Sequence, residues 1–172
     1  MNLTDQPRRF APLLLLLLLV AGSASALRSD LQQPITVEAD GMDIDDSQGT
    51  NTYRGNVVLH QGTITLKADK VTVIQGRKPG ESNRVVAEGN PAVLRQLPDG
   101  KQEYIEGRAR NMEYSVDSEI LLLTGNASIT QGGDNFKSDR IVYDRAKALI
   151  RAGASAEGNQ RVRVTIGSQN SK

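Results

Sequence analysis

From residue 35 onward the chain alternates. Ile35-Thr-Val37-Glu-Ala39, Thr63-Ile64-Thr-Leu66-Lys67 and Met112-Glu-Tyr114-Ser-Val116 each place an apolar residue at every second position. Period two, carried by Val, Ile, Thr and Tyr, predicts half-buried antiparallel strands. No window in this part of the chain sustains a period of 3.6. Turn chemistry falls between the alternating runs, at "DDSQG" (45–49), "LPDGK" (97–101) and "QGGDN" (131–135). The longest irregular piece is the polar loop "QGRKPGESN" at 75–83. The expectation is an all-β protein.

The alternation is also written more than once. Residues 55–62, "GNVVLHQG", return as "GNASITQG" at 125–132, and the match extends from Ala39–Val73 onto Ala109–Tyr143. Further Gly-Asn pairs stand at Gly89-Asn90 and Gly158-Asn159, so the phrase recurs at spacings of 34, 36 and 33 residues. A repeat of this length with two strand-like phrases per unit predicts a stacked or wound β-structure. One unit cannot bury its apolar face alone, so neighbouring units bury it together. Gly and Asn both tolerate the left-handed backbone region, which makes each pair a corner where a winding sheet bends.

The N-terminus follows a different rule. Arg8 and Arg9 precede the apolar run "FAPLLLLLLLVAG", and Ala24-Ser25-Ala26 closes it. A basic start, a short apolar run and an A-x-A site predict a secretory signal peptide over residues 1–26. The chain has no Cys, so no thiol exists there for a lipid anchor. Cleavage would leave a domain over 27–166 and a polar tail, "GSQNSK", at 167–172 that reads as disordered.

Charge and composition narrow the function. The net charge is +1, and loss of Arg8, Arg9 and Asp5 brings it to zero. A neutral chain lacks the electrostatic footprint of a nucleic-acid binder. Aromatic residues make up 3%, with no Trp, so stacking platforms for bases are scarce. Catalytic chemistry is thin as well. The single histidine, His60, stands alone on an alternating strand and reads as a rim residue. Asp43 and Asp45 alternate with Met42 and Ile44, which reads as the solvent face of a strand rather than a cation or carboxylate-pair site. No metal-ligand spacing, nucleophile motif or phosphate-cradling loop is present, so neither a metal nor another cofactor is expected.

The apolar faces consist of Val, Ile, Leu, Ala and Met. Such a core is either a fully packed sandwich or, where two sheets splay, a greasy slot suited to acyl chains. Transfer of each CH₂ from water into such a slot gains about 0.8 kcal/mol. Three functions follow from these alternatives: a lipid carrier, a structural β-solenoid with a sealed core, or a cell-envelope carbohydrate enzyme with carboxylates across a cleft.

Four phrases taken together, "QPITVEADGMDID", "YRGNVVLHQGTITLKADKVTV", "AEGNPAVLRQ" and "LLTGNASITQGGDNFKSDRIVYD", resemble the OstA-like family of periplasmic lipopolysaccharide-transport proteins (LptA). The resemblance covers residues 32–166. It implies an open, twisted antiparallel β-jelly roll of about sixteen strands, folded as a V of two sheets. It also implies a non-catalytic periplasmic protein of a Gram-negative bacterium that binds lipopolysaccharide through its lipid A moiety. Head-to-tail copies would form a bridge, fed by a bitopic inner-membrane component and delivering to an outer-membrane β-barrel translocon. The family's lipid-facing strands fall here on Ile35, Val37, Leu94, Tyr114 and Val116. Alternation adds Ile64, Leu66, Leu122, Ile129, Phe136 and Ile141. Arg77 and Lys78, in the loop before Pro79, are candidate basic residues at the rim. The end strands, Ile35–Ala39 and Arg161–Ile166, are candidates for pairing between copies.

Overall fold

A computed structural model describes residues 30–78, 80–98, 100–153 and 161–167. The expected signal peptide, the Gly158-Asn159 pair and residues 168–172 lie outside the described residues. After a 3-10 turn at Asp30–Gln32 come ten strands: β1 Thr36–Glu38, β2 Gly41–Asp45, β3 Thr50–Gln61, β4 Ile64–Ile74, β5 Arg84–Gln96, β6 Ile105–Ser115, β7 Ile120–Gln131, β8 Asp134–Asp144, β9 Leu149–Ala152 and β10 Arg163–Thr165. All belong to one antiparallel sheet in which β3 to β8 pair in sequence order. Among the described residues, no helix is long and apolar enough to cross a membrane.

The six central strands, β3 to β8, are each broken near the middle by a shift in register. On β3 the shift falls between Arg54 and Val57, and on β7 between Thr124 and Ala127. The residues left unpaired there are the two Gly-Asn corners. Gly55 and Asn56 have φ of 74° and 46°, and Gly125 and Asn126 have φ of 79° and 53°. Two successive left-handed residues make a bulge that bends the strand. The corner on β5 is built differently, with Gly89 followed by a cis Asn90–Pro91 peptide.

The bulges line up across the sheet and divide it into two arms. The first arm holds β1, β10 and the half-strands 57–61, 64–68, 92–96, 105–109, 127–131 and 134–138. The second holds β2, β9 and the half-strands 50–54, 70–74, 84–88, 111–115, 120–124 and 140–144. Counted by half-strand, the sheet has the sixteen strands expected of it; counted by continuous pairing, it has ten. β1 and β2 form one end of the sheet, β9 and β10 the other, and the two ends do not pair. The sheet is therefore open.

Side chains grade in size away from the bend. The first-arm residues beside it are Val57, Ala68, Ala92, Ala109, Ala127 and Ser138, all buried and all small apart from Val57. Directly across the bend, Val71, Ala87, Met112, Leu123 and Ile141 form a continuous ladder through neighbouring strands, each at most 3% exposed. Small residues on one arm let the larger row of the other pack into the apex. Close packing of this kind fixes the angle between the arms.

Asp40 secures the first corner. Its backbone amide donates to the Gly55 carbonyl at 3.0 Å, and its carboxylate accepts from Asn56 Nδ2 at 2.8 Å. A Cβ on Gly55 would run into that carboxylate, on a backbone that L-residues seldom adopt. Gly55→Ala is therefore expected to lower stability by about 1–3 kcal/mol. Gly41→Ala, where a Cβ meets open space, is the control and should cost less than about 1 kcal/mol. Urea unfolding of the two variants measures the difference.

Candidate functional site

One step outward from the apex, each arm presents a second ladder. On the first arm Val37, Leu59, Leu66, Leu94, Gly107, Ile129, Phe136 and Val164 are successive Cα partners from β1 through to β10. On the second arm the ladder runs Val73, Val85, Tyr114, Leu121, Tyr143, Ile150. These two ladders do not fill the space between the arms. A cavity of about 290 Å³ remains, lined from one side by Leu59, Leu66, Leu94, Gly107 and Ile129, and from the other by Val85, Tyr114, Leu121 and Tyr143. Ala87 and Met112 form its floor at the apex. Gly107 interrupts an otherwise bulky row and lets Leu123 pack closely over it: a Cβ there would lie 3.1 Å from Leu123 Cδ2.

Among the described residues, amide and charged side chains meet the cavity only at the free ends of the arms. Gln61 and Gln96 reach the cavity from the first arm, beside Ile64 and Ile105. Arg145 reaches it from the second, beside Val116. The first lip is tied by Asp30, which is buried. Asp30 accepts from Thr63 N at 2.6 Å, Thr63 Oγ1 at 2.7 Å and Gln96 Nε2 at 3.0 Å. The second lip is a chain of turns, with Val116 N bonded to Asn83 O and Arg145 N to Glu119 O. Desolvation raises the pKa of both Tyr114 and Tyr143 above the ordinary tyrosine value, while the Arg145 charge pulls the other way. Both phenols stay neutral at any physiological pH.

The residues expected to face lipid fall into four groups. Ile35, Ile64, Leu66, Leu94, Tyr114, Val116 and Ile129 line the cavity. Val37 and Phe136 sit on the same first-arm ladder but nearer the ends of the sheet, packed against the core. Ile141 is fully buried in the apex row and meets no open space. Leu122 lies on the other side of its strand: Leu121 and Leu123 are 4% and 0% exposed, and period two turns Leu122 away with its partners Glu113 and Val142. Within Leu121–Leu123 the sequence alone offers no phase, and the cavity-lining member is Leu121.

Sequence reasoning also passed over Leu59, Val85, Ile105, Tyr143 and Arg145. Leu59 was recoverable, since it follows Val57 in phase on one strand. Arg145 continues the inward phase of Ile141 and Tyr143, although a charge in a turn ordinarily reads as solvated.

Of the two basic rim candidates, Arg77 is not among the residues that line the cavity; its guanidinium donates to the carbonyls of Asp46 and Ser47 and so braces the 45–49 turn. Lys78 is exposed and lies 3.9 Å from Glu81. His60 is exposed, with Nδ1 3.1 Å from Thr65 Oγ1. Asp43 pairs with Arg54. Asp45 accepts from the Ser47 hydroxyl and the Gln48 amide, which together hold its carboxyl below the ordinary value. Among the described residues, no three His, Cys, Asp or Glu side chains converge to hold a metal ion.

A sheet that bends on itself without closing, around an aliphatic cavity with polar lips, defines the open β-jelly roll. The family model described as "LptA/(LptD N-terminal domain) LPS transport protein" matches residues 36–148, and the chain belongs to that family. It is 36% identical over 137 residues to the lipopolysaccharide export system protein LptH of Pseudomonas aeruginosa, covering 80% of this chain and 77% of that one. It is likewise 36% identical over 148 residues to LptA of Escherichia coli, covering 85% and 78% respectively. The crystal structure of LptH from Pseudomonas aeruginosa superposes with a TM-score of 0.74 at 30% identity, over 81% of this chain and 99% of that one.

The assignment of faces is open to direct measurement. Leu121→Ala removes a buried wall residue and should cost about 2–5 kcal/mol in urea unfolding, whereas Leu122→Ala should cost less than about 1 kcal/mol.

Proposed function

We infer that this protein is a non-catalytic periplasmic carrier that holds lipopolysaccharide by its lipid A acyl chains, as one link of a bridge from the inner to the outer membrane. The observation that carries this reading is the aliphatic cavity between the arms, in a chain that belongs to the lipopolysaccharide-transport family. Acyl chains enter such a space by the hydrophobic effect alone, at about 0.8 kcal/mol per buried CH₂. The alternative, a structural scaffold with a sealed core, is less favoured by the cavity of about 290 Å³ that lies between the two ladders.

The ends of the sheet support a bridge. Among the described residues, seven of the nine exposed large apolar side chains lie on or beside the terminal strands: Ile35, Met42 and Ile44 at one end, and Val162, Val164, Ile166 and Leu149 at the other; Tyr104 and Val116 lie elsewhere. β1 and β10 each have one neighbour, so each leaves a row of backbone groups unpaired. Such an edge is a template for strand addition. Copies joined β10 to β1 would continue the first-arm ladder from Val164 of one copy to Val37 of the next. The same pairing suits a bitopic inner-membrane donor at one end and an outer-membrane β-barrel acceptor at the other. The family description couples LptA with the N-terminal domain of LptD, which supports an acceptor of like fold.

Lipopolysaccharide should bind the purified protein, and the same polysaccharide stripped of lipid A should not. Equal binding of both would overturn the carrier reading. Ile35 is 59% exposed yet lines the cavity, so Ile35→Asp should abolish lipopolysaccharide binding with the thermal midpoint unchanged. Separately, deletion of residues 161–172 is expected to leave a folded monomer in sedimentation experiments that no longer assembles head to tail. Oligomer ladders persisting after that deletion would exclude β10 as the joint.

A further inference from the structure

Among the described residues, Arg145 is the one cation that lines the cavity. It follows Ile141 and Tyr143 on the inward face and is 8% exposed. Its Nη1 donates to the Tyr114 hydroxyl at 3.0 Å, and its guanidinium carbon lies 5.4 Å from the centre of the same ring. Both contacts are to a neutral side chain. The carboxylate next to it in sequence is already engaged: Asp144 Oδ1 accepts from Lys147 N at 3.1 Å and Oδ2 from Lys147 Nζ at 3.0 Å. No carboxylate among the described residues lies within 4.0 Å of the Arg145 guanidinium.

A guanidinium in apolar surroundings is costly unless an anion balances it. None of its polar atoms is both fully buried and unbonded, so the nitrogens that Tyr114 leaves free still open onto accessible space. That space is the cavity mouth. Its opposite lip carries the amides of Gln61 and Gln96. The mouth is thus polar on both sides and cationic on one, while the interior is aliphatic.

We propose that Arg145, positioned by Tyr114, is an anion-binding residue at the lip of the slot. It receives a phosphate of the amphiphile whose acyl chains occupy the interior. Guanidinium matches phosphate through paired N–H donors. Tyr114 keeps the fork aimed inward through its hydroxyl and ring. The arrangement gives a bound molecule a fixed sense: chains toward the bend, phosphorylated sugar at the lips. This inference rests on the carrier reading and adds the headgroup contact to it.

The experiment compares three probes on the full mature chain: bisphosphorylated hexa-acyl lipid A, the same lipid with both phosphates removed, and inorganic phosphate. The phosphorylated lipid should bind about tenfold more tightly than the dephosphorylated one, as a charge-assisted contact predicts. Arg145→Met should abolish that difference while leaving affinity for the dephosphorylated lipid unchanged, and Arg145→Lys should restore part of it. The thermal midpoint of Arg145→Met should hold or rise, because an unbalanced buried charge is replaced by an apolar side chain. Equal affinity of the natural chain for both lipids, or a difference that survives Arg145→Met, overturns the proposal and leaves the carrier reading intact. Failure of both lipids to bind removes the carrier reading itself. Inorganic phosphate that binds the natural chain as tightly as the phosphorylated lipid does would mark a free-anion site and also overturn the proposal.

Discussion

The bend across the six central strands is the constraint from which the rest of the molecule follows. A sheet of this width left straight would twist continuously and offer one face to solvent and one to nothing. Bulges at the same depth in successive strands fold it along a line, so the apolar face of one arm meets that of the other. The cost is a set of backbone conformations that few residues accept, and the sequence meets it with Gly-Asn on β3 and β7. Asp40 then bonds across the first of these corners, which ties the end of the sheet to the bend.

Size grading beside the bend converts that fold line into a shaped space. Alanines at 68, 92, 109 and 127 allow the apex to close, while Leu59, Leu66, Leu94, Tyr114 and Tyr143 farther out hold the arms apart. The apex is packed like any protein interior, so its side chains stabilise the fold. The outer ladders belong to the same buried cluster, but between them they also line a cavity. The distinction separates Ile141, which belongs to the apex, from Ile129, which lines the space, although both are inward-facing isoleucines on neighbouring strands.

Much of this was legible in the sequence because period two leaves little freedom once a strand is placed. Ile64, Leu66, Leu94 and Ile129 could be assigned to the inner face from alternation and family likeness, and the Gly-Asn pairs at 55 and 125 could be read as corners. What escaped had a physical reason. Leu121–Leu123 has no polar residue to set its phase, so only pairing with Tyr114 and Tyr143 decides which leucine turns inward. Arg77 reads as a rim cation because its bonds to the Asp46 and Ser47 carbonyls join segments thirty residues apart. Depth along a half-strand is likewise invisible to a period of two, which is why Ile141 and the cavity-lining residues looked alike.

The scarcity of polar atoms inside the slot has a kinetic meaning. Between the lips and the bend the wall is mostly hydrocarbon, and a hydrocarbon tail meets it through non-directional contacts that can be exchanged from one position to the next. Successive strands add nearly equivalent stretches of wall along the sheet. The free energy of a hydrocarbon tail then varies little as it is displaced from strand to strand. Low ruggedness of the wall favours sliding of a hydrocarbon tail, so under the carrier reading position is set at the polar lips rather than by the interior.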